Sequence, residues 1–512
     1  MSIPRTRSKS IVRRALTNVL SFFVLIVVCS LGFANTDQNS LLDARIRLFE
    51  AWLESAMNEQ AIPSVSVSLV QNQRLVYTRG FGFADVQMQR PASADTQYRI
   101  ASVTKLFTSI ALMQLIESQQ LTLQTPIVDI VPELAAIQSN GYAIEDMTVW
   151  SILTHTTGLP THANVLLDRQ APLTPPVRHA FLEGFEEQSL LFPPNRIHKY
   201  SNLSMNIAGV IIERVSNLRY EEYIQKFILT PLQMDATRFP SSSSSAVVES
   251  QAIGYDRLIA GQRSPAEFSN MASLLGHPAA GLLSSTRDLA KFLSWHFRTL
   301  SNEDSLVLTA QTLEQMQQVQ WVPLPLEQGP LMSSVTAFLS NSLNLGGTGL
   351  GYFRNQELVL HGGGLRGFAS EVVMDNQNQL GIAVLSNSLD APVNFSYPRS
   401  ISKTLYEVVG LMAADADNAN LSLAHPEYEG VYTDNGHRHY YVTEIEQSLV
   451  MINLREASVF DNPAVLTRVA KDRFTDEDHQ GFYAGEFTVE FYRDETGTVD
   501  GIYVNREKLY RE

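Results

Sequence analysis

The chain has 512 residues, of which 44% are hydrophobic and 18% are charged, and its formal net charge at pH 7 is −15. This is the composition of an ordinary globular protein, and the length suffices for a large core and a second domain. The excess of negative charge argues against nucleic acid as a partner, because a phosphate backbone requires a basic surface.

The N-terminal segment has the features of a secretory signal. A basic stretch precedes the apolar run "VLSFFVLIVVCSLGFA", which ends on the small residues Gly32 and Ala34. We therefore predict that residues 1–34 are a signal peptide and that the mature protein is exported, being either periplasmic or secreted. A retained anchor is the alternative, and only then would we expect membrane association, although the run is short for a span of about 20 residues. The single cysteine, Cys29, lies in this segment, so the predicted mature chain has no disulfide.

Two predicted elements open the mature chain. Ser40–Glu59 has apolar residues at helical spacing, and Pro63 follows its end. Next, "SVSVSLV" alternates strictly between serines and apolar residues, which predicts a half-buried strand at Ser64–Val70. After a second strand comes the segment "ASVTKLFTSIALMQLIE", Ala101–Glu117, which reads as a helix that is apolar on almost every side.

The rest of the first domain alternates between helical and strand patterns. A long mixed region runs to about Leu350, strands return in segments such as Gln379–Asn387, and the helix "SISKTLYEVVGLM" closes the domain. Strands thus lie at both ends of the domain and helices between them. This arrangement predicts an α+β domain at residues 35–412, with an antiparallel sheet built from both ends and an inserted helical subdomain.

A second, smaller domain is predicted after a linker. Residues 413–426 are polar and rich in small side chains, as expected of a linker. Beyond them, "FTVEFYRDETGTVDGIYV" alternates, turns at "DETG" and alternates again. We therefore predict a small all-β domain at residues 427–512, either a barrel or a sandwich.

The apolar helix carries a candidate nucleophile and base. Ser102 and Lys105 are three residues apart on one helix face, so the amine can reach the hydroxyl. A serine hydroxyl is a weak nucleophile until a base takes its proton, and a lysine can be that base only when it is neutral. Burial lowers a lysine pKa and so supplies this condition. The pattern alone is weak, because it recurs at Ser400 and Lys403, where Lys403 lies off the apolar side and is expected to face solvent.

Two further segments carry polar groups suited to the same chemistry. "HKYSNLSMNIAG" places Tyr200 and Asn202 at the start of a predicted helix, where a phenol can relay protons and an amide can hold an acyl-amide group. "VLHGGGLRGFAS" has His361 and three glycines before a strand, and glycines let backbone N–H groups approach an oxyanion. Each pattern is weak by itself: Tyr503 and Asn505 repeat the first, and the glycines also suit a simple turn.

Taken in order, Ser-x-x-Lys, Tyr-x-Asn and a basic residue-x-Gly triplet before a strand resemble the penicillin-recognising serine hydrolases. This superfamily contains class C β-lactamases, D-alanyl-D-alanine carboxypeptidases, D-aminopeptidases and family VIII esterases. Connecting stretches such as "TVWSILTHTTGLPTH" and "AAGLLSSTRDLAKFL" resemble it too, and the resemblance covers roughly residues 42–412. The all-β domain looks, more loosely, like the lipocalin-like appendages of some D-aminopeptidases.

The resemblance implies the roles of the central residues. Ser102 would be the nucleophile, Lys105 the base that activates it, and Tyr200 the group that relays protons to the leaving group. The backbone N–H groups of Ser102 and Gly364 would form the oxyanion hole.

The resemblance also implies a substrate-binding set, in which two departures stand out. Asn202, His361 and Gly363 would hold the substrate. The β-lactamases and many carboxypeptidases have Lys-Thr/Ser-Gly where this chain has His-Gly-Gly, which removes a charge and a hydroxyl, although Arg366 could replace the charge. Asn195 stands where the family commonly has glycine.

The implied function is that of an exported serine hydrolase. It would act through an acyl-enzyme on a small amide, a D-amino-acid peptide or an ester, with no metal, no cofactor and no nucleic acid. The alternatives are a true β-lactamase, a non-turnover penicillin-binding or sensor protein, or a chain whose β domain binds the ligand. We interpret His155 as a packing residue of a family turn, and His437 and His439 as solvent-facing rather than metal-binding residues.

Overall fold

The computed structural model describes residues 42–162, 182, 184–240, 250–256, 262–266, 276–322, 347–355, 358–389, 400–409, 425–434, 438–445, 448–455, 463–476, 487–505 and 507–512. The predicted signal peptide lies outside these residues, as does the predicted linker apart from its last two positions. The chain divides into two compact units, Met57–Ser402 and Met1–Ala56 together with Lys403–Glu512. Within the described ranges, no helix is long and apolar enough to cross a membrane.

An antiparallel sheet forms the centre of the unit Met57–Ser402. Its strands are β1 (Ser64–Gln71), β2 (Arg74–Asp85), β3 (Arg90–Pro91), β6 (Gly347–Thr348), β7 (Phe353–Asn355), β8 (Leu358–Leu365), β9 (Phe368–Asp375) and β10 (Leu380–Ser386). The strand order is β3-β2-β1-β10-β9-β8-β7-β6, and a separate pair consists of β4 (Tyr98–Arg99) and β5 (Leu283–Ser284). Val65 of β1 pairs with Ser386 of β10. The two sequence ends of this unit therefore meet inside one sheet, as predicted.

Strand β1 is buried on both faces, so the prediction of a half-buried strand was wrong. Ser64, Ser66 and Ser68 are fully buried, like the apolar residues between them. Their hydroxyls have partners: the Tyr98 hydroxyl lies 3.1 Å from Ser64 Oγ and 3.0 Å from Ser66 Oγ, and Ser68 Oγ lies 2.8 Å from Thr78 Oγ1. Hydroxyls with hydrogen-bond partners can be buried at little cost, so the serine face can be covered too.

The helices lie between these strands in sequence. They are α1 (42–59), α2 (Thr104–Glu117), α3 (Val149–Leu153), α4 (Asn202–Ser216), α5 (Tyr220–Ile224), α6 (His277–Ala280), α7 (Thr286–Leu300), α8 (Ala310–Gln317) and α9 (400–409). Eleven of the fourteen residues of α2 are buried, and α2 packs against α4 and α6. The segment Ala101–Val103 before α2 is a 3₁₀ turn.

Helix α9 carries the second Ser-x-x-Lys pattern, which faces solvent as predicted. Ile401, Leu405 and Val408 are buried. The Lys403 side chain is 61% exposed, and its Nζ lies 3.4 Å from Glu407 Oε1. This lysine lacks the burial that the proposed base requires, which removes this copy as a candidate.

The unit formed by Met1–Ala56 and Lys403–Glu512 contains a closed eight-stranded antiparallel barrel, which confirms the predicted all-β fold. Its strands, in order around the barrel, are Gly430–Thr433, His439–Ile445, Ser448–Asn453, Ala464–Ala470, Arg473–Asp476, Phe487–Arg493, Val499–Val504 and Glu507–Arg511. Aromatic rings fill the interior: the Phe491 ring lies 4.3 Å from that of Tyr428 and 5.6 Å from that of Phe474. The barrel is therefore a packed core.

The first part of α1 belongs to the same unit as the barrel. Arg45 is 2% exposed, and its Nη1 donates to the Glu444 carbonyl at 3.1 Å. Ser55 Oγ lies 2.9 Å from His439 Nδ1, so His439 contacts this helix instead of facing solvent only; His437 lies outside the described residues. The sequence boundaries at residues 412 and 426 remain predictions.

Candidate active site

Ser102 lies in the 3₁₀ turn that joins β4 to α2. Ala101, the residue before it, has a φ of +45°, which is unusual for a residue with a side chain. The Ile100 carbonyl holds the turn, because it accepts from Val103 N at 3.1 Å and from Ser370 Oγ of β9 at 2.7 Å. Ala101 and Val103 are buried while Ser102 is partly exposed. The nucleophile candidate is thus fixed by the sheet and remains accessible.

Lys105 is buried beside Ser102. It is 1% exposed, and its Nζ lies 3.0 Å from Ser102 Oγ and 2.7 Å from the Ala279 carbonyl of α6. Burial lowers the pKa of Lys105 well below its usual value. A neutral amine has two N–H groups and one lone pair, so it can donate to Ala279 and still accept the proton of Ser102.

Tyr200 completes a contiguous group with these two residues. Lys105 Nζ lies 4.9 Å from the centre of the Tyr200 ring, and the Tyr200 hydroxyl is hydrogen-bonded to the Ser102 side chain. Tyr200 is 9% exposed, and burial raises the pKa of its phenol. The phenol therefore keeps its proton and can donate it to a leaving group.

Asn202 begins α4 and offers an unused acceptor. Ser201 caps this helix, its Oγ accepting from Ser204 N at 3.0 Å. Asn202 is 7% exposed, and its Oδ1 is buried without a hydrogen-bond partner in the part of the chain that the structure describes. A buried acceptor without a partner is costly, and a substrate amide N–H would satisfy it.

His361 lies on β8 and is electrically neutral. It is 1% exposed, and its Nδ1 donates to the Gly362 carbonyl at 2.7 Å. Burial lowers the pKa of His361 to about 3. Arg366 does not replace the missing charge, because its Nε donates to Asp256 Oδ1 at 2.6 Å and its Nη2 contacts the other carboxylate oxygen. The third segment thus contributes no unpaired cation.

The three glycines after His361 lie within β8 and do not form a turn. A Cβ on Gly363 would lie 2.3 Å from the Ile100 carbonyl and 3.0 Å from Ser102 N, so only glycine lets this strand reach the Ser102 turn. Gly364 follows as the partner of Ala369 on β9 and is partly exposed. The placement beside Ser102 accords with the predicted oxyanion and substrate roles, which remain predictions.

Sequence reasoning missed three contributors to this site. The Ala279 carbonyl and the Ser370 hydroxyl act through tertiary contacts that leave no pattern in the sequence. His155, interpreted as packing, also accepts from Ser201 N at 3.3 Å. The departure at Asn195 is explained, since its φ is +62° and asparagine tolerates this region better than most residues. In the described ranges, no group of three metal-binding side chains is present.

The chain is similar to proteins of known sequence and structure. In Staphylococcus aureus (strain MW2), protein flp is 27% identical over 340 residues, which cover 65% of this chain and 61% of that protein. The chain thus spans about three fifths of the length of this relative. The octameric penicillin-binding protein homologue from Pyrococcus abyssi has a TM-score of 0.57 at 24% identity, covering 91% of this chain and 100% of its own.

A second solved structure, the D-amino acid amidase from Ochrobactrum anthropi SV3, has a TM-score of 0.55 at 20% identity, covering 71% of this chain and 97% of its own. At these identities the two structures show the fold alone. The sequence model of the beta-lactamase family matches residues 49–404, well over half of the chain. The chain therefore belongs to the beta-lactamase family of serine hydrolases.

Proposed function

We propose that this protein is an exported hydrolase that cleaves small amides, D-amino-acid peptides or esters through an acyl-enzyme on Ser102. One observation carries the proposal: the Lys105 amine lies 3.0 Å from Ser102 Oγ in a buried setting that favours its neutral form. An amine in that state can take the hydroxyl proton as the new bond forms. The signal-like segment at residues 1–34 supports export.

The acylation step assigns one role to each group. Ser102 Oγ forms a bond to the substrate carbonyl carbon while its proton passes to Lys105 Nζ. The carbonyl oxygen takes the negative charge and is stabilised by the N–H groups of Ser102 and Gly364. Tyr200 then gives its phenolic proton to the leaving nitrogen or oxygen as that bond breaks, and regains a proton from Lys105.

Deacylation repeats these steps with water. The water oxygen bonds to the acyl carbon while Tyr200 takes a proton from that water and passes its own phenolic proton to Lys105. The bond from the acyl carbon to Ser102 Oγ then breaks as that oxygen takes the proton back from Lys105. Asn202 Oδ1 binds an N–H of the acyl group, which favours amide-bearing substrates. The structural similarity to a D-amino acid amidase supports this choice of substrate class.

The decisive test is covalent labelling of Ser102. The purified protein is treated with a fluorophosphonate, and the modified peptide is located by mass spectrometry. We expect one adduct, on Ser102, that is absent in Ser102→Ala and unchanged in the control Ser400→Ala. An adduct that survives Ser102→Ala would refute the proposal.

Turnover separates this function from its alternatives. The same sample is assayed with a p-nitrophenyl ester, a D-alanyl amide and nitrocefin. Release of ester or amide product beyond one equivalent supports a hydrolase. A single burst without further release would identify a non-turnover penicillin-binding protein, and nitrocefin as the best substrate would identify a β-lactamase.

A further inference from the structure

Two chain segments are joined side by side beneath the candidate active site. Lys199 N donates to the His155 carbonyl at 2.7 Å, and Asn202 N donates to the Thr161 carbonyl at 2.9 Å. Ser201 Oγ also donates to the Pro160 carbonyl at 2.7 Å, and in the other direction Thr161 Oγ1 donates to the Tyr200 carbonyl at 3.1 Å. These bonds fix the backbone on either side of Tyr200, so residues 155–161 determine where residues 199–202 lie.

The His155 side chain contacts both Ser201 and the ring of Tyr200. Its Nδ1 accepts from Ser201 N at 3.3 Å, and its ring centre lies 4.5 Å from that of Tyr200. It is 3% exposed and has a φ of +55°. A positive φ is uncommon outside glycine but is adopted more readily by asparagine, aspartate and histidine, so the backbone at this position accepts an imidazole.

We propose that His155 is a positioning residue for the hydrolytic reaction, whose neutral imidazole orients the Tyr200 phenol by accepting the Ser201 N–H. The inference rests on the proposed function, because it assigns a partner to the residue that donates the leaving-group proton. Without the acceptor, a buried N–H lacks a partner and the segment shifts to find one. A shift of about 1 Å in a catalytic group can lower the rate about a hundredfold.

The surroundings of His155 keep Nδ1 free of a proton. The rings of His198 and Tyr200 pack against it, at 6.0 Å and 4.5 Å between centres. Burial is the main cause that holds the pKa of His155 well below its usual value. A protonated ring would point an N–H at the Ser201 N–H, and the hydrogen bond would be lost.

The test compares His155→Asn with His155→Gly. Both residues adopt a positive φ, but only asparagine places an acceptor, its Oδ1, close to the position of Nδ1. The concentration of active enzyme is set by titrating Ser102 with the fluorophosphonate, so partial misfolding does not enter kcat/KM; His155→Ala replaces the glycine variant if that variant does not fold. Each protein is assayed with a p-nitroanilide and a p-nitrophenyl ester of the same acyl group.

Comparing two leaving groups distinguishes misplacement of Tyr200 from a general disruption of the active site. Departure of an amine requires the Tyr200 proton and departure of nitrophenolate does not. We expect His155→Gly to lose about tenfold or more in kcat/KM, which reports acylation and not the shared deacylation step, for the anilide and less than about threefold for the ester, with His155→Asn restoring the anilide value at least in part. Equal losses on both substrates, or no difference between the two variants, would overturn the inference.

The wild-type measurements show whether a negative result contradicts the proposed function or only the role of His155. If wild-type enzyme neither labels at Ser102 nor turns over, the proposed function fails and the inference with it. If wild type labels and turns over while His155→Gly keeps the wild-type ratio of anilide to ester rates, only the inference fails.

Discussion

At the scale of single residues, burial determines which groups around Ser102 carry charge. Lys105 has no counter-ion among the causes that shift its pKa; burial alone lowers it. Tyr200 is shifted by burial in the opposite direction, because its charged form is the anion. The candidate site thus holds a neutral amine beside a neutral phenol, which is the pairing that the proposed proton transfer from serine to leaving group requires.

The first prediction concerns the protonation of Lys105. Because the neutral amine is the active form, kcat should rise with pH through a pKa well below the ordinary lysine value of 10.5 and then level off. Lys105→Arg should lose about a hundredfold or more, since arginine cannot release its proton at working pH. Ester hydrolysis measured from pH 5 to 10 checks both. An arginine variant with most of the wild-type activity would make Lys105 a structural cation.

The second prediction concerns substrate charge and His361. A lysine ammonium in this position would make a charge-assisted bond to a substrate carboxylate, worth about 1.5–3 kcal/mol. Its absence corresponds to roughly tenfold to a hundredfold in binding. With a pKa of about 3, His361 is neutral above that pH, so the protein should prefer substrates without a carboxylate beside the scissile bond. We expect His361→Lys to raise kcat/KM for nitrocefin relative to a short ester.

Arg366→Ala provides the matched control for this substitution. Since Arg366 is already paired with Asp256, its removal should leave the ratio of nitrocefin to ester turnover unchanged. Loss of nitrocefin turnover in Arg366→Ala, or no gain in His361→Lys, would contradict the assignment.

The sequence predicted the residues of this site more fully than their surroundings. Ser102 and Lys105 were identifiable because their spacing coincides with a helix that is apolar on every side. The contact of Lys105 with Ala279 was not, because a backbone carbonyl carries no residue-specific signal. The contact of His155 with Ser201 depends on how two distant segments align, which local pattern does not encode.

At the scale of elements, strand β8 can lie against the Ser102 turn because Gly363 has no side chain. The third prediction tests this close approach. Gly363→Ala should slow fluorophosphonate labelling of Ser102 about tenfold or more, because its Cβ would meet backbone atoms at 2.3 Å and force β8 away from the Ser102 turn. Gly362→Ala is the control: its Cβ would meet the Ser370 carbonyl at 3.8 Å, an ordinary contact. Equal labelling rates in the two variants would show that β8 need not touch the turn.

The burial of side chains was predicted correctly where the polar face of an element is also the face exposed to solvent. The burial of Ile401, Leu405 and Val408 on α9 followed from helical spacing. For β1 the alternation identified two faces, but Tyr98 covers the serine face through hydrogen bonds to Ser64 and Ser66. A pattern of polar residues cannot distinguish solvent from a buried hydroxyl network.

At the scale of the whole molecule, every residue proposed for the site lies within Met57–Ser402. The fourth prediction follows. A chain that ends at Ala414 should still label at Ser102, yet its melting temperature should be several degrees lower than that of the full chain. The reason is that Arg45 and Ser55 of α1 lose Glu444 and His439 as partners.

Arg45→Ala in the full chain is the companion variant, because it removes one of these partners while keeping the barrel. It should show a smaller drop in melting temperature than the truncation. A truncated chain that melts with the full-length protein would mean that α1 gains nothing from the barrel, and one that fails to label would place part of the active site in the barrel.

The pairing of β1 with β10 has a consequence for how the protein reaches its native state. Strand β1 begins at Ser64 and β10 at Leu380, so almost all of the unit Met57–Ser402 must be synthesised before they can pair. Contacts so distant in sequence slow folding, and chains emerge from the ribosome N-terminus first. Until then one edge of β1 has no partner and can pair with other chains. The first strand to be made is thus among the last to be completed, so its open edge is exposed to other chains through most of synthesis.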